Sequence, residues 1–121
     1  MPSGLTGIVL RIDLSTEKSE KLHFGEDFYR IFMGGGAFGT YFLLKETSTE
    51  TDALSKDNIL TIAPGVTTGA RVSGVSRCCV TALSPETCAV GDSQVGGSIG
   101  LMIKRAGYDA IVIKGMAKNL S

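Results

Sequence analysis

Glycine constrains this chain more than any other residue type. There are 16 glycines in 121 residues, nearly double the ~7% of average usage, and they gather into three clusters. The first is Met33-Gly34-Gly35-Gly36-Ala37-Phe38-Gly39, and the second is the loop from Gly65 through Gly69 to Gly74. The third is Gly91-Asp92-Ser93-Gln94-Val95-Gly96-Gly97-Ser98-Ile99-Gly100. Without a Cβ, backbone reaches φ > 0 and a ligand can approach the amides closely. Any one cluster alone reads first as a tight turn. Three in one small domain suggest a surface shaped to hold something large, flat or phosphorylated.

The length suits one domain or part of one, able to bury about two-thirds of its unfolded surface. A hydrophobic content of 43% argues against disorder. Twelve basic and twelve acidic residues cancel, so nucleic acid is not an expected partner, whereas a homo-oligomer or a larger host protein is compatible. No apolar run approaches the ~20 residues of a membrane helix, and Met1-Pro2-Ser3-Gly4 does not open a signal peptide, so no membrane partner is expected. Cys78, Cys79 and Cys88 form a poor disulfide framework, and neighbours on a strand point apart. They read as buried structural thiols, with no metal site built from this chain alone and a reducing cytoplasm as the compartment.

Alternation over Gly7 to Leu14 puts Ile8, Leu10, Ile12 and Leu14 on one face and Arg11 and Asp13 on the other, a half-buried antiparallel strand. Ser15 to Lys18 turns, and Ser19 to Phe24 returns as a more polar strand. Helical spacing marks Glu26 to Met33 and Ala37 to Lys45, and Glu46 to Asp57 is a polar loop. Strands are expected over Asn58 to Ala63, Arg77 to Leu83 and Tyr108 to Lys114, with a helix from Ser98 to Ala106 capped by Gly107. Cys88 to Gly91 leads into the third glycine cluster. The sum is an α+β domain, a mainly antiparallel sheet with a few short helices.

Gly34-x-Gly36-x-x-Gly39 matches the dinucleotide fingerprint literally. That motif needs a preceding parallel strand, and here a helix precedes it, so a turn between two helices or a ligand-facing loop of another kind fits better. Gln94-Val95-Gly96-Gly97-Ser98 runs into a helix start, where free amides and the dipole favour an anion; a plain cap by Ser93 or Ser98 reads equally well. Arg77 opens a strand with a planar five-donor fork suited to carboxylate, phosphate or a heteroaromatic edge, or to a surface ion pair. His23, the single histidine, has no visible catalytic partner. The residues alone reach an anion- or cofactor-binding surface and no reaction.

In order, these pieces resemble the N-terminal domain of the aldehyde ferredoxin oxidoreductase family, the tungsten (sometimes molybdenum) pterin enzymes. The resemblance rests on Gly7-Ile8-Val9-Leu10-Arg11-Ile12-Asp13-Leu14-Ser15-Thr16, the Met33 to Phe38 turn and Asp52-Ala53-Leu54-Ser55-Lys56-Asp57-Asn58. It continues through Ala63-Pro64-Gly65-Val66-Thr67-Thr68-Gly69, Ser76-Arg77, Leu83-Ser84-Pro85 and Gly96-Gly97-Ser98-Ile99-Gly100. It closes on the highly specific run from Lys104-Arg105-Ala106-Gly107-Tyr108-Asp109 to Gly115.

The resemblance implies that residues 1–121 are a partial N-terminal pterin-binding domain. In the complete enzyme two pterin dithiolenes chelate tungsten (or molybdenum) beside a [4Fe–4S] cluster, and magnesium links the pterins. Such an enzyme oxidises aldehydes to carboxylic acids with ferredoxin as electron acceptor. The implied cofactor-binding residues are Gly34, Gly35, Gly36, Arg77, Ser93, Gln94, Val95, Gly96 and Gly97. Arg77 would lie between pterin and cluster, and the 93–97 segment would wrap pterin phosphate. Four positions depart from the family pattern: Gly36 stands where the family turn has arginine, Ala37 where it has the following glycine, Gln94 where it has asparagine, and Val95 where it has a small residue. The cluster cysteines and substrate-proximal groups belong to later domains, so this chain alone is expected to hold no cofactor and turn over nothing. Its partners would be the remainder of the enzyme or partner subunits. The alternatives are a stand-alone, non-catalytic binding or assembly module and a nucleotide-binding protein.

Overall fold

The computed structural model describes residues 4–119. Met1-Pro2-Ser3, part of the stretch tested above for a leader, lie outside these residues, as do Leu120 and Ser121. The elements in chain order are β1 (Ile8–Asp13), β2 (Lys18–His23), α1 (Glu26–Phe32), α2 (Gly36–Glu46), β3 (Ile59–Pro64), β4 (Cys78–Leu83), β5 (Val90–Val95), α3 (Ile99–Arg105) and β6 (Ala110–Lys114). The strands form one six-stranded sheet in the order β2-β1-β6-β3-β4-β5. Four of its five pairings are antiparallel and only β1–β6 is parallel. This is the α+β, mainly antiparallel architecture expected, with β6 as a central strand. The apolar run Ala110-Ile111-Val112-Ile113 suits that place: Ala110 and Val112 are fully buried toward α2, and Ile111 and Ile113 are half-buried on the other face.

Strand alternation assigns the helices to faces. Thr81 of β4 lies against Gly39 of α2, while Cys78 of the same strand lies against Gly100 of α3. The two helices therefore sit on opposite sides of the sheet. Strand register carries this division across: Val9, Val112, Thr61, Ala63 and Thr81 face α2, and with Phe38, Phe42 and Leu43 they are almost completely buried. Phe28 of α1 closes this layer, stacking on Phe24 at 4.2 Å between ring centroids and meeting Tyr41 edge-on at 4.8 Å.

One expectation inverts. Ile8, Leu10 and Ile12 form the half-buried face of β1, but that face looks away from α2; the core takes Val9 instead. Arg11 points to the α2 side and pairs with Glu46 in the helix's last turn, each side chain only 18% exposed. The helix supplies the counter-charge that lets an arginine lie over a packed face.

A second difference is β5, whose residues Val90–Val95 belong to an edge strand paired to β4 along its whole length. Its sequence, VGDSQV, has no apolar stripe to announce a strand. Hydrogen bonding to β4 defines it, and an edge strand needs no buried face.

Asp109 pins the ends of the chain together. Its carboxylate accepts hydrogen bonds from the backbone N–H of Thr6 and of Gly7 (2.8 Å), from the Tyr29 hydroxyl (2.6 Å) and from Lys104 Nζ (3.1 Å). Burial pushes this carboxyl upward, but the four donors outweigh it and hold its pKa below the usual carboxylate range. The Tyr29 hydroxyl is pushed well above its ordinary value, first by burial and then by its bond to Asp109.

Candidate functional site

Backbone bonds and one buried threonine stitch two of the glycine loops together. Gly34 and Gly65 form an isolated antiparallel bridge, and the Gly35 N–H donates to the Pro64 carbonyl at 3.2 Å. Gly35 itself sits at φ 61°, ψ −141° as the cap before α2, a conformation reserved for glycine. Thr68 is buried, and its hydroxyl accepts from the Gly65 N–H (2.9 Å) and donates to the Arg77 carbonyl (2.8 Å). The second glycine loop is thus tied to the strand that Arg77 opens. On the other side of β4, Cys79 pairs in register with Gln94 of β5.

These constraints produce a cavity of about 200 Å³, lined by Gly35, Gly65, Thr67, Thr68, Gly74, Val75, Arg77, Cys79 and Gln94. Three of the sequence-expected residues, Gly35, Arg77 and Gln94, share this wall. Gly34 supports it from behind, with Pro64 O only 3.0 Å from where its Cβ would be. Gly36 begins α2 and faces Asp92, whose Oδ1 lies 3.2 Å from the position of a Cβ there. Asp92 Oδ1 accepts from the Thr81 hydroxyl at 2.9 Å.

The third cluster divides. Alternation along β5 sends Ser93 and Val95 to the face opposite Gln94, paired with Val80 and Cys78, so their side chains point away from the cavity. Val95 is extended within the strand, and the left-handed turn falls on Gly97 at φ 91°. Gly96 does not line the cavity; its Cβ direction lies 4.0 Å from Ser76 Oγ, and Gly97 has open space around it. The expected loop running directly into a helix start is therefore a strand followed by a short turn, with α3 on the far side of the sheet. The fingerprint Gly34-x-Gly36-x-x-Gly39 joins α1 to α2 with no strand before it, which removes the dinucleotide reading.

Cys79 is the residue that sequence reasoning missed. Of the three cysteines only Cys78 is buried; Cys79 is half-buried in the cavity wall and Cys88 is exposed in the turn before β5. Burial first, then the Asp92 carboxylate, push the Cys79 thiol upward, against a smaller opposing effect of the Gly36 N–H. The signal lay in alternation: on a strand beginning at Cys78, Cys79 must share a face with Thr81 and hence with α2. Thr68 carried no comparable signal, because its role depends on Gly65 and Arg77 being brought together by the fold.

The donor set is an arginine fork, a carboxamide and glycine backbone without Cβ obstruction, beside the positive end of the α2 dipole. It fits one edge of a phosphorylated heteroaromatic group such as a pterin. It does not fit an iron–sulfur cluster: among the described residues no three His, Cys, Asp or Glu side chains converge, and Cys78 and Cys79 point to opposite faces. Among the described residues no helix is long and apolar enough to cross a membrane.

Comparison with known proteins gives the family and the fold. The family model for the aldehyde ferredoxin oxidoreductase N-terminal domain matches residues 9–121. A tungsten-containing aldehyde ferredoxin oxidoreductase of Pyrococcus horikoshii is 37% identical over 94% of this chain, which spans 19% of that protein. The WOR-like subunit of an aliphatic sulfonate oxidoreductase from Pyrococcus furiosus is 38% identical over 93% of the chain and 18% of its own length. Among solved structures, the BamBC active-site complex of benzoyl coenzyme A reductase with 1,5-dienoyl-CoA superposes with a TM-score of 0.94 at 29% identity, over 99% of this chain and 18% of that one. The chain thus spans about a fifth of the length of these relatives, and it belongs to the aldehyde ferredoxin oxidoreductase family, within that family's N-terminal domain.

Proposed function

We propose that this chain is the opening, cofactor-binding part of a tungsten (or molybdenum) bis-pterin oxidoreductase of the cytoplasm. The complete enzyme oxidises aldehydes to carboxylic acids and passes the electrons to ferredoxin. The observation that carries this reading is the convergence of Gly35, Arg77 and Gln94 on one concave wall, far apart in sequence: Gly35 in the first glycine cluster, Arg77 just after the second, and Gln94 in the third. When bound, the metallopterin supplies the two-electron chemistry, and the protein binds and orients it. Arg77 directs its guanidinium at pterin or its phosphate, Gln94 offers a carboxamide, and Gly35 lets backbone come close. The cluster thiolates and the substrate pocket then come from the other four-fifths of the polypeptide length seen in the relatives, and the 121-residue chain by itself is inactive.

The test is metal and pterin analysis of the longest natural product of the gene, purified without oxygen. Tungsten or molybdenum, pterin released on acid treatment, and aldehyde-dependent dye reduction are expected. Relatives named for aliphatic sulfonate and benzoyl coenzyme A chemistry make those compounds the necessary comparison substrates. Metal-free protein, or turnover only with a non-aldehyde, would sink the assignment.

A further inference from the structure

Arg77 is exposed, and none of the ion pairs among the described residues includes its guanidinium. Its direction is therefore set by its backbone. The ladders on both sides of β4 end at Cys78, one residue short of it. Beyond that last rung the Arg77 carbonyl is held by the Thr68 hydroxyl, at 2.8 Å. The same oxygen accepts the Gly65 N–H at 2.9 Å, so one hydroxyl serves as donor and acceptor at once. Gly65 is bridged in turn to Gly34, in the turn that carries Gly35. Thr68 thereby connects the Arg77 side of the cavity to the Gly35 side.

The methyl of Thr68 completes the link. A Cβ on Gly100 of α3 would lie 3.0 Å from Thr68 Cγ2, so the glycine leaves the methyl its place. A β-branched side chain whose methyl is held in this way keeps one χ1, and that rotamer aims the hydroxyl at Gly65 and Arg77. Next in the chain, Gly69 sits at φ 91° with its Cβ direction 2.9 Å from Leu101 Cδ1. From the far side of the sheet, α3 thus braces the loop that lines the cavity. Thr68 is only 7% exposed, so a valine there would leave the Gly65 N–H and the Arg77 carbonyl without their partner.

We propose that Thr68 is the positioning residue of the cavity: its hydroxyl fixes Arg77 against the Gly35 side, and its contribution to anion binding passes through Arg77. The proposal rests on the reading of Arg77 as the anion-binding group of this wall. Inorganic pyrophosphate is the probe, titrated into the 121-residue chain and followed by NMR of the backbone amides. Arg77→Ala is expected to weaken binding about 10-fold or more, and Thr68→Val about 5-fold. Thr68→Ser, which keeps the hydroxyl, should recover most of that loss. In the Arg77→Ala background, Thr68→Val should lower the melting temperature as it does in the native background, yet leave pyrophosphate binding unchanged. A merely structural role would move both. Should Thr68→Val not fold, the native chain gives the second reading by reciprocity. Pyrophosphate should slow hydrogen exchange of the Gly65 amide, bonded to Thr68, and not that of Tyr108, bonded to Ile103. No metallopterin enters these measurements, so their failure is distinct from failure of the tungsten–pterin reading, which metal analysis decides. Pyrophosphate that binds without regard to Arg77, an equal loss of binding from Thr68→Val in both backgrounds, or a Gly65 amide whose exchange ignores pyrophosphate would overturn the inference.

Discussion

Gly39 of α2 and Thr81 of β4 touch so closely that the helix has no room there for a side chain: a Cβ on Gly39 would lie 2.7 Å from Thr81 Cγ2 and overlap its other atoms. Thr81 is buried and also bonds Asp92, so it cannot move aside. Gly39 thereby sets the height of α2 above the sheet, and with it the position of Gly35 in the cavity wall.

Replacing Gly39 by Ala tests this seat. On an exposed helix face the same change would stabilise by about 1 kcal/mol. Here overpacking should destabilise by about 3 kcal/mol and lower the melting temperature by roughly 10 °C. A calorimetric scan that shows a rise instead would mean that α2 is not seated as described.

Asp109 makes stability depend on acid pH. Its folded pKa lies below the unfolded value of about 3.9. Its contribution is therefore complete above that value and is lost as pH falls through the folded pKa. Urea midpoints should stay flat from neutral pH to about pH 5 and then decline. Asp109→Asn turns an amide N–H₂ toward N–H and O–H donors and leaves Lys104, whose side chain is 11% exposed, with only the Gly4 carbonyl as partner. It should cost about 3 kcal/mol at pH 7 and flatten the acid decline.

The helices were legible because their apolar residues recur at helical spacing, and β6 because its short all-apolar run suits a strand inside the sheet. The buried side of β1 was not legible. Ile8, Leu10 and Ile12 look like a core face, and only the placement of α2 over Val9 and Arg11 shows otherwise. β5 was hidden because its register on β4, not its composition, makes it a strand. The meeting of Gly35, Arg77 and Gln94 is non-local, and no local pattern encodes it; the ordered family motifs were the only sequence feature that pointed there.

The three thiols should react in a fixed order. Cys88 is exposed and should be alkylated first at pH 7.5 or so. Cys79 opens onto the cavity, but its raised pKa leaves little thiolate, so its labelling should be slow and quicken as pH is raised. Cys78 is buried against α3, and burial raises its pKa as well, so it should label only on unfolding. Peptide mass mapping over time reads the order. Rapid labelling of Cys78 in the native chain would contradict the packing of Gly100 on β4.

Arg77 separates binding from stability. Its side chain is exposed, with only the backbone carbonyl held by Thr68, so Arg77→Ala should change the stability of this chain by no more than about 0.5 kcal/mol. In an enzyme assembled from this chain and the remaining polypeptide, the same substitution removes the one cation that lines the cavity. Metallopterin retention or electron transfer should then fall by about 10- to 100-fold. Arg77→Lys should restore charge without the planar fork and recover only part of that loss. Metal content by elemental analysis, measured beside turnover, distinguishes weakened binding from slowed transfer. A variant with full metal content and unchanged turnover would remove Arg77 from the site and leave the cavity without its principal anion-binding group.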